Sequence, residues 1–198
     1  MKDNFFSERV AIILGFYNGE KYMRALLESI FRQTFQNFHI FIFDDCSEKK
    51  FSKLDYNFSY REKEKISIFR NKKNLGFAMN FLKGLEKVPN DYDFYCYCDQ
   101  DDIWFPDKIE RGLKFLHNSN RSNPALYGSK TLLTNKSCSK VIGHSITIKK
   151  KLSFRNALLQ NFAGGNTMIM NNSARNKVCS SLKNFNNQIP LSHDWWTY

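Results

Sequence analysis

The stretch Tyr92-Asp93-Phe94-Tyr95-Cys96-Tyr97-Cys98-Asp99-Gln100-Asp101-Asp102-Ile103-Trp104 runs from an aromatic segment into three carboxylates within four positions. Residues 92–98 have the length and composition of a buried strand, with no helix-favouring run. Three bare carboxylates at a strand end repel one another. A divalent cation among the oxygens relieves that repulsion, and hard oxygen donors suit Mg²⁺ or Mn²⁺. The competing account is a solvated acidic turn in which Asp102 or Asp107 caps the next helix. Trp104 and Pro106 close the loop, and Pro106 is placed to open that helix.

Outward from this segment the chain alternates between two periodicities. Val10–Leu14, Phe38–Phe43 and Ile66–Phe69 are short apolar runs that read as strands. Between them, Tyr22, Leu26, Leu27, Ile30 and Phe31 fall at helix spacing, as do Phe77, Phe81, Leu82 and Leu85. Residues 107–116 are expected to be helical. Strands alternating with helices predict a largely parallel α/β sheet, whose ligands bind at the carboxyl ends of the strands. Phe16-Tyr17-Asn18, Asp44-Asp45, Asn74 and Asp99–Asp102 all fall on that edge. Beyond Asn118 the pattern loosens. Ala125–Leu133 and Val141–Ile148 are expected strands, Phe154–Leu159 a short helix, and residues 162–170 a turn feeding a strand. Glu48–Lys65 reads as a weak helix or a mobile connection.

A length of 198 residues fits one sizeable domain, and 42% hydrophobic residues argue for a folded one. No apolar run approaches the ~20 residues of a membrane span, and no signal-peptide core precedes Arg9. The expected location is the cytoplasm or the cytoplasmic face of a membrane. The five cysteines are scattered and complete no zinc site, so all are expected reduced. A formal charge of +11 asks for an anionic partner. Its lysine clusters (49–50, 72–73, 149–151) are dispersed, and no nucleic-acid motif accompanies them. No nucleic-acid partner is therefore expected; an anionic substrate or an anionic membrane surface fits the charge. No Gly-x-Gly-x-x-Gly follows the first strand and no phosphate loop occurs. A phosphate-bearing ligand would need metal and basic side chains instead.

In order and spacing, Phe16-Tyr17-Asn18-Gly19, Arg32-Gln33-Thr34-Phe35, Asp44-Asp45-Cys46-Ser47, Asn74-Leu75-Gly76, Asp99-Gln100-Asp101-Asp102 and His193-Asp194-Trp195-Trp196 resemble the family-2 glycosyltransferases of the GT-A fold, most closely their bacterial rhamnosyltransferase-like members. The resemblance implies one GT-A domain over residues 1–198, with a nucleotide-sugar half (1–118) and an acceptor half (119–198). It implies a nucleotide-diphosphate sugar donor bound by Phe16, Tyr17, Asn18, Asp44, Asp45, Asn74, Asp99 and Asp102. Tyr17 would stack on the base and Asp44 accept a hydrogen bond from it. Asp99 and Asp101 would hold Mg²⁺ or Mn²⁺. Asp194 would be the base of an inverting transfer, and Gly165, Asn166, Thr167, His193 and Trp195 would meet a glycan or lipid-linked glycan acceptor. The family more often carries Cys-Thr after one glycine, so Gly165-Asn166 departs from its pattern. The family also continues past the equivalent of Asp194, where this chain stops at Tyr198, which implies a missing C-terminal part.

Plainer accounts stand beside these roles: Tyr17 in the core, Asp44-Asp45 as a turn, Gly164–Thr167 as a turn between strands, and Ser192–Trp196 as a helix start anchored by its tryptophans. Two rivals for function remain. A catalytically silent nucleotide-sugar-binding or assembly module would keep every donor residue. A nucleotidyltransferase would want a Gly-rich basic loop after the first strand, which residues 15–20 lack.

Overall fold

Four apolar runs form the parallel heart of the molecule: β1 (Val10–Phe16), β2 (Phe38–Asp44), β3 (Ile66–Arg70) and β4 (Phe94–Cys98). The computed structural model describes residues 7–117, 119–146, 153, 155, 161–183 and 190–198. β1, β2 and β4 are apolar enough to suit strands covered on both faces, whereas β3 is the sheet's edge and buries only Ile66. Between and after them come α1 (Glu20–Phe31), α2 (Tyr60–Glu64), α3 (Phe77–Lys87) and α4 (Lys108–His117), of which α1, α3 and α4 carry the buried faces. Later come β5 (Leu126–Tyr127), β6 (Leu132–Thr134), β7 (Val141–His144), β8 (Ile169–Asn171), α5 (Asn172–Lys183) and α6 (His193–Thr197).

The main sheet has the order β3-β2-β1-β4-β8-β5; β1 pairs parallel with β2 and β4, β2 pairs parallel with β3, and β8 runs antiparallel to β4 and β5. This is a mixed, mostly parallel sheet flanked by helices, as the resemblance implies. Strand alternation splits its core in two. Val10, Ile12, Leu14 and Phe16 face Leu26, Leu27, Ile109 and Leu113, while Ala11 and Ile13 face the layer holding Phe81, Leu82, Leu85 and Val178.

Several expectations change in detail. Ala125–Leu133 is two strands rather than one: β5 ends at Tyr127, and β6 belongs to a separate two-stranded sheet with β7. β7 stops at His144; residues 147–148, the lysines at 149–151 and, but for Arg155, the expected helix over 154–159 lie outside the described residues. The segment 48–65 is anchored, because Phe51, Tyr56 and Phe58 enter the first core layer and a Ser59/Glu62 capping box starts α2. Helix α5 was not anticipated. Pro106 precedes α4 by two residues instead of opening it. No described helix is long and apolar enough to cross a membrane.

Candidate functional site

The carboxyl ends of β1, β2 and β4 surround a cavity of about 400 Å³ whose wall includes Tyr17, Asp45, Asn74, Phe81, Asp99 and Asp101. Parallel pairing brings these residues together from positions up to 84 apart in the chain.

Asp44 and Asp45 point to different tasks. The Asp44 carboxylate is fully buried, ion-paired to Arg70 at 2.8 Å and hydrogen-bonded by the Ser47 N–H at 2.8 Å. It braces the loop beneath the cavity, so the expected contact from Asp44 to a base is revised: Asp45 is the member of the pair on the cavity wall. Asp45 accepts from Asn71 Nδ2 and the Leu75 N–H at 2.8 Å and the Gly76 N–H at 2.9 Å, which fixes the Asn74–Gly76 turn. Asn74 donates to the Asp45 carbonyl at 3.2 Å. Phe16 is buried under this floor, against Phe51. Asn18, in the left-handed region at φ 47°, joins the two loops: its N–H donates to Ser47 Oγ and its Oδ1 accepts from the Glu48 N–H.

Tyr17 is 47% exposed, its ring open to the cavity rather than in the core. Its backbone is gripped by Gln100, which accepts from the Tyr17 N–H at 2.9 Å and donates to the Tyr17 carbonyl at 3.1 Å. Gly19 makes room for that grip, since a Cβ there would sit 2.1 Å from Gln100 Oε1.

The Asp99 carboxyl is pushed up to about 7 by burial and by its neighbours Asp102 and Asp101. Burial also raises Asp102, although Asn166 Nδ2 donates to it at 2.6 Å. Asp101 is exposed. Among the described residues no three His, Cys, Asp or Glu side chains converge as a metal cage. Carboxylates crowded enough to hold protons are short of positive charge, and this donor set fits a hard divalent cation that keeps water and ligand oxygens in its shell.

The 3₁₀ turn Gly165–Thr167 meets α6. The Asp194 carboxylate accepts from the Gly165 N–H at 3.1 Å, the Trp195 N–H at 2.7 Å and Ser192 Oγ, and its charge reaches Asp99. His193 is enclosed. Its ring stacks on Phe81 at 4.1 Å, meets Tyr97 edge-on at 4.8 Å, and has no hydrogen-bond partner on either nitrogen among the described residues. Burial lowers its pKa to about 4, with Asp194 opposing the shift. A Cβ on Gly165 would lie 2.2 Å from His193 Nε2. Gly165 and His193 therefore cover each other, which revises the expectation that both meet an acceptor. Thr167 is also buried, donating to the Gly164 carbonyl at 2.8 Å. Asn166 and the 39% exposed Trp195 stay accessible.

Lys108 joins the site without belonging to any of the motifs above. Its Nζ lies 3.7 Å over the Trp104 ring, donates to the Asn166 carbonyl and has its pKa lowered by burial. With the Asn166–Asp102 bond it ties the carboxylate loop to the Gly165–Thr167 turn. A signal was available: a lysine in the first turn of a helix opposes the macrodipole and asks for another reason to be there.

The family model for glycosyl transferase family 2 matches residues 11–175. The chain is 34% identical over 102 residues to the dTDP-rhamnosyl transferase RfbG of Shigella flexneri, covering 50% of this chain and 35% of that protein. It is 32% identical over 103 residues to the succinoglycan biosynthesis protein ExoW of Rhizobium meliloti, covering 51% and 32%. A solved mannosyltransferase of Pyrobaculum calidifontis, in complex with GDP-Man and Mn²⁺, shares the fold at TM-score 0.54 and 14% identity over 88% of this chain and 46% of that one. The matched part of the chain spans between 17% and 51% of the length of eight curated relatives. It belongs to glycosyl transferase family 2.

Proposed function

We propose that this family member is an inverting glycosyltransferase that moves a sugar from a nucleotide-diphosphate donor to a hydroxyl of a glycan or lipid-linked glycan, in bacterial surface polysaccharide synthesis. The observation that carries the reading is the single cavity in which Tyr17, Asp45, Asn74, Asp99 and Asp101 meet, with Asp194 electrostatically in reach of Asp99. Residues 1–118 supply the donor side and residues 119–198 the acceptor side. Deoxythymidine-diphosphate rhamnose is the first donor to test, given the likeness to a protein named as a dTDP-rhamnosyl transferase.

In this mechanism the base lies against Tyr17 and Asp45 supports the nucleoside side of the cavity. Asp101, with Asp99, would hold Mg²⁺ or Mn²⁺, whose positive charge offsets the diphosphate as it departs. Asp194 takes the proton of the acceptor hydroxyl as that oxygen attacks the anomeric carbon. The bond from that carbon to the diphosphate breaks on the opposite face, and configuration inverts. Ser192, Gly165 and Trp195 hold the Asp194 carboxylate by three hydrogen bonds, which fixes its aim. The protein would work at the inner face of the cell membrane.

The test is calorimetric titration with a panel of nucleotide sugars, with and without Mn²⁺, followed by transfer assays on the donor that binds. Metal-dependent binding of one donor and transfer from it support the reading. Binding without transfer would leave the silent binding module.

A further inference from the structure

The excess positive charge lies in one part of the chain. Residues 1–110 carry 17 Lys and Arg against 18 Asp and Glu, whereas residues 111–193 carry 13 Lys and Arg and no acidic residue. The β6–β7 hairpin stands in the middle of that stretch. Its Leu132, Leu133, Val141 and Ile142 are 45–65% exposed, and Ile146 just beyond is 73% exposed. Among the described residues, neither core layer reaches these side chains. A two-stranded ribbon with this much aliphatic surface is marginal in water and asks for a partner. Lys130, Lys136 and Lys140, all exposed, stand at its base and around its turn. The apolar surface continues onto Ile103 and Phe105, which share a groove with Leu132, Val141 and the Asp101-Asp102 carboxylates.

We propose that the β6–β7 hairpin docks on an anionic lipid bilayer, with its Leu, Val and Ile side chains at the boundary of headgroups and acyl chains and its lysines on the lipid phosphates. The mixture selects this occupant. A second copy paired hairpin to hairpin would bring Lys130, Lys136 and Lys140 of both chains together, and a nucleic acid offers aliphatic side chains nothing to pack on. A bilayer satisfies both kinds of residue at once. The groove at the hairpin's base then opens at the membrane surface, beside the carboxylate loop, where a lipid-linked acceptor would arrive. The inference deepens the proposed function by naming its membrane element, although docking itself requires no sugar transfer.

Cys138, exposed in the hairpin turn, provides the probe; Cys96, Cys98 and Cys179 are buried, and Cys46→Ser removes the remaining reachable thiol. With an environment-sensitive dye on Cys138, phosphatidylglycerol–phosphatidylcholine vesicles should shift the emission to the blue, and spin labels on the acyl chains should quench it. Binding should weaken about tenfold or more on pure phosphatidylcholine or in high salt. The double variant Leu133→Asp/Ile142→Asp should lose the shift while keeping the thermal unfolding midpoint and nucleotide-diphosphate affinity of the parent. An unshifted dye on anionic vesicles overturns the proposal. So does vesicle binding that survives the double variant, which would be charge alone, or a lipid-free dimer that the double variant dissolves. Docking that persists in a protein binding no nucleotide sugar would count against the proposed function and leave the hairpin assignment standing.

Discussion

β1, β2 and β4 bury every residue except Gly15 and His39, while β6 and β7 expose every residue except Gly143. In the first region packing fixes the strand ends before any ligand arrives, so the cavity carboxylates are preorganised. In the second region no core layer among the described residues covers the side chains, and the proposed bilayer would supply that cover. A substitution should therefore report on chemistry or stability in one region and on association in the other.

The largest effect is expected at the proposed base. Asp194→Asn should slow transfer by roughly two to four orders of magnitude, the usual worth of a positioned base, while donor affinity stays nearly intact. The amide keeps the shape and cannot take a proton. Lost donor affinity with an unchanged rate at saturation would make Asp194 a donor ligand instead. Stability sharpens the contrast next. Leu14→Ala, at a fully buried position, should cost about 2–5 kcal/mol in urea denaturation. Leu133→Ala on the hairpin should stay within about 0.5 kcal/mol. Equal losses would mean that the hairpin has a packed core of its own.

A smaller effect follows from His193. Its folded pKa, near 4, lies below the ordinary histidine value because the ring is buried neutral among aromatics. The unfolded chain takes up a proton near pH 6.5 and the folded one does not. Stability should therefore fall as pH drops from about 6.5 towards 4, by up to about 3 kcal/mol, and this contribution should level off below pH 4. His193→Phe should flatten that part of the profile in thermal or urea unfolding. An unchanged slope would mean that the ring is protonated or solvated in the folded protein.

Much of the main sheet was legible because apolar runs and helix spacing are local properties. The carboxylates after β2 and β4 could be recognised for the same reason. What stayed hidden depends on contacts made across the chain. Which of Asp44 and Asp45 reaches the cavity is decided by Arg70, 26 residues away, which claims Asp44. His193 looked like a polar site residue, and only the packing of Phe81 and Tyr97 shows it to be enclosed. The Gly165 turn suggested open space for a sugar, and that space holds His193. Helix α5 was missed because its buried face rests on Ala174, Val178, Cys179 and Leu182 within an otherwise polar sequence.

The central claim is that the strand-end cavity holds a nucleotide-diphosphate sugar through a divalent cation on Asp101. It is tested most directly by titrating one nucleotide diphosphate, with and without Mn²⁺, into the parent protein, Asp101→Asn and Asp194→Asn. The account predicts metal-dependent binding in the parent, loss of that binding in Asp101→Asn, and its retention in Asp194→Asn. Equal affinity for the parent, the metal-free protein and Asp101→Asn would contradict it.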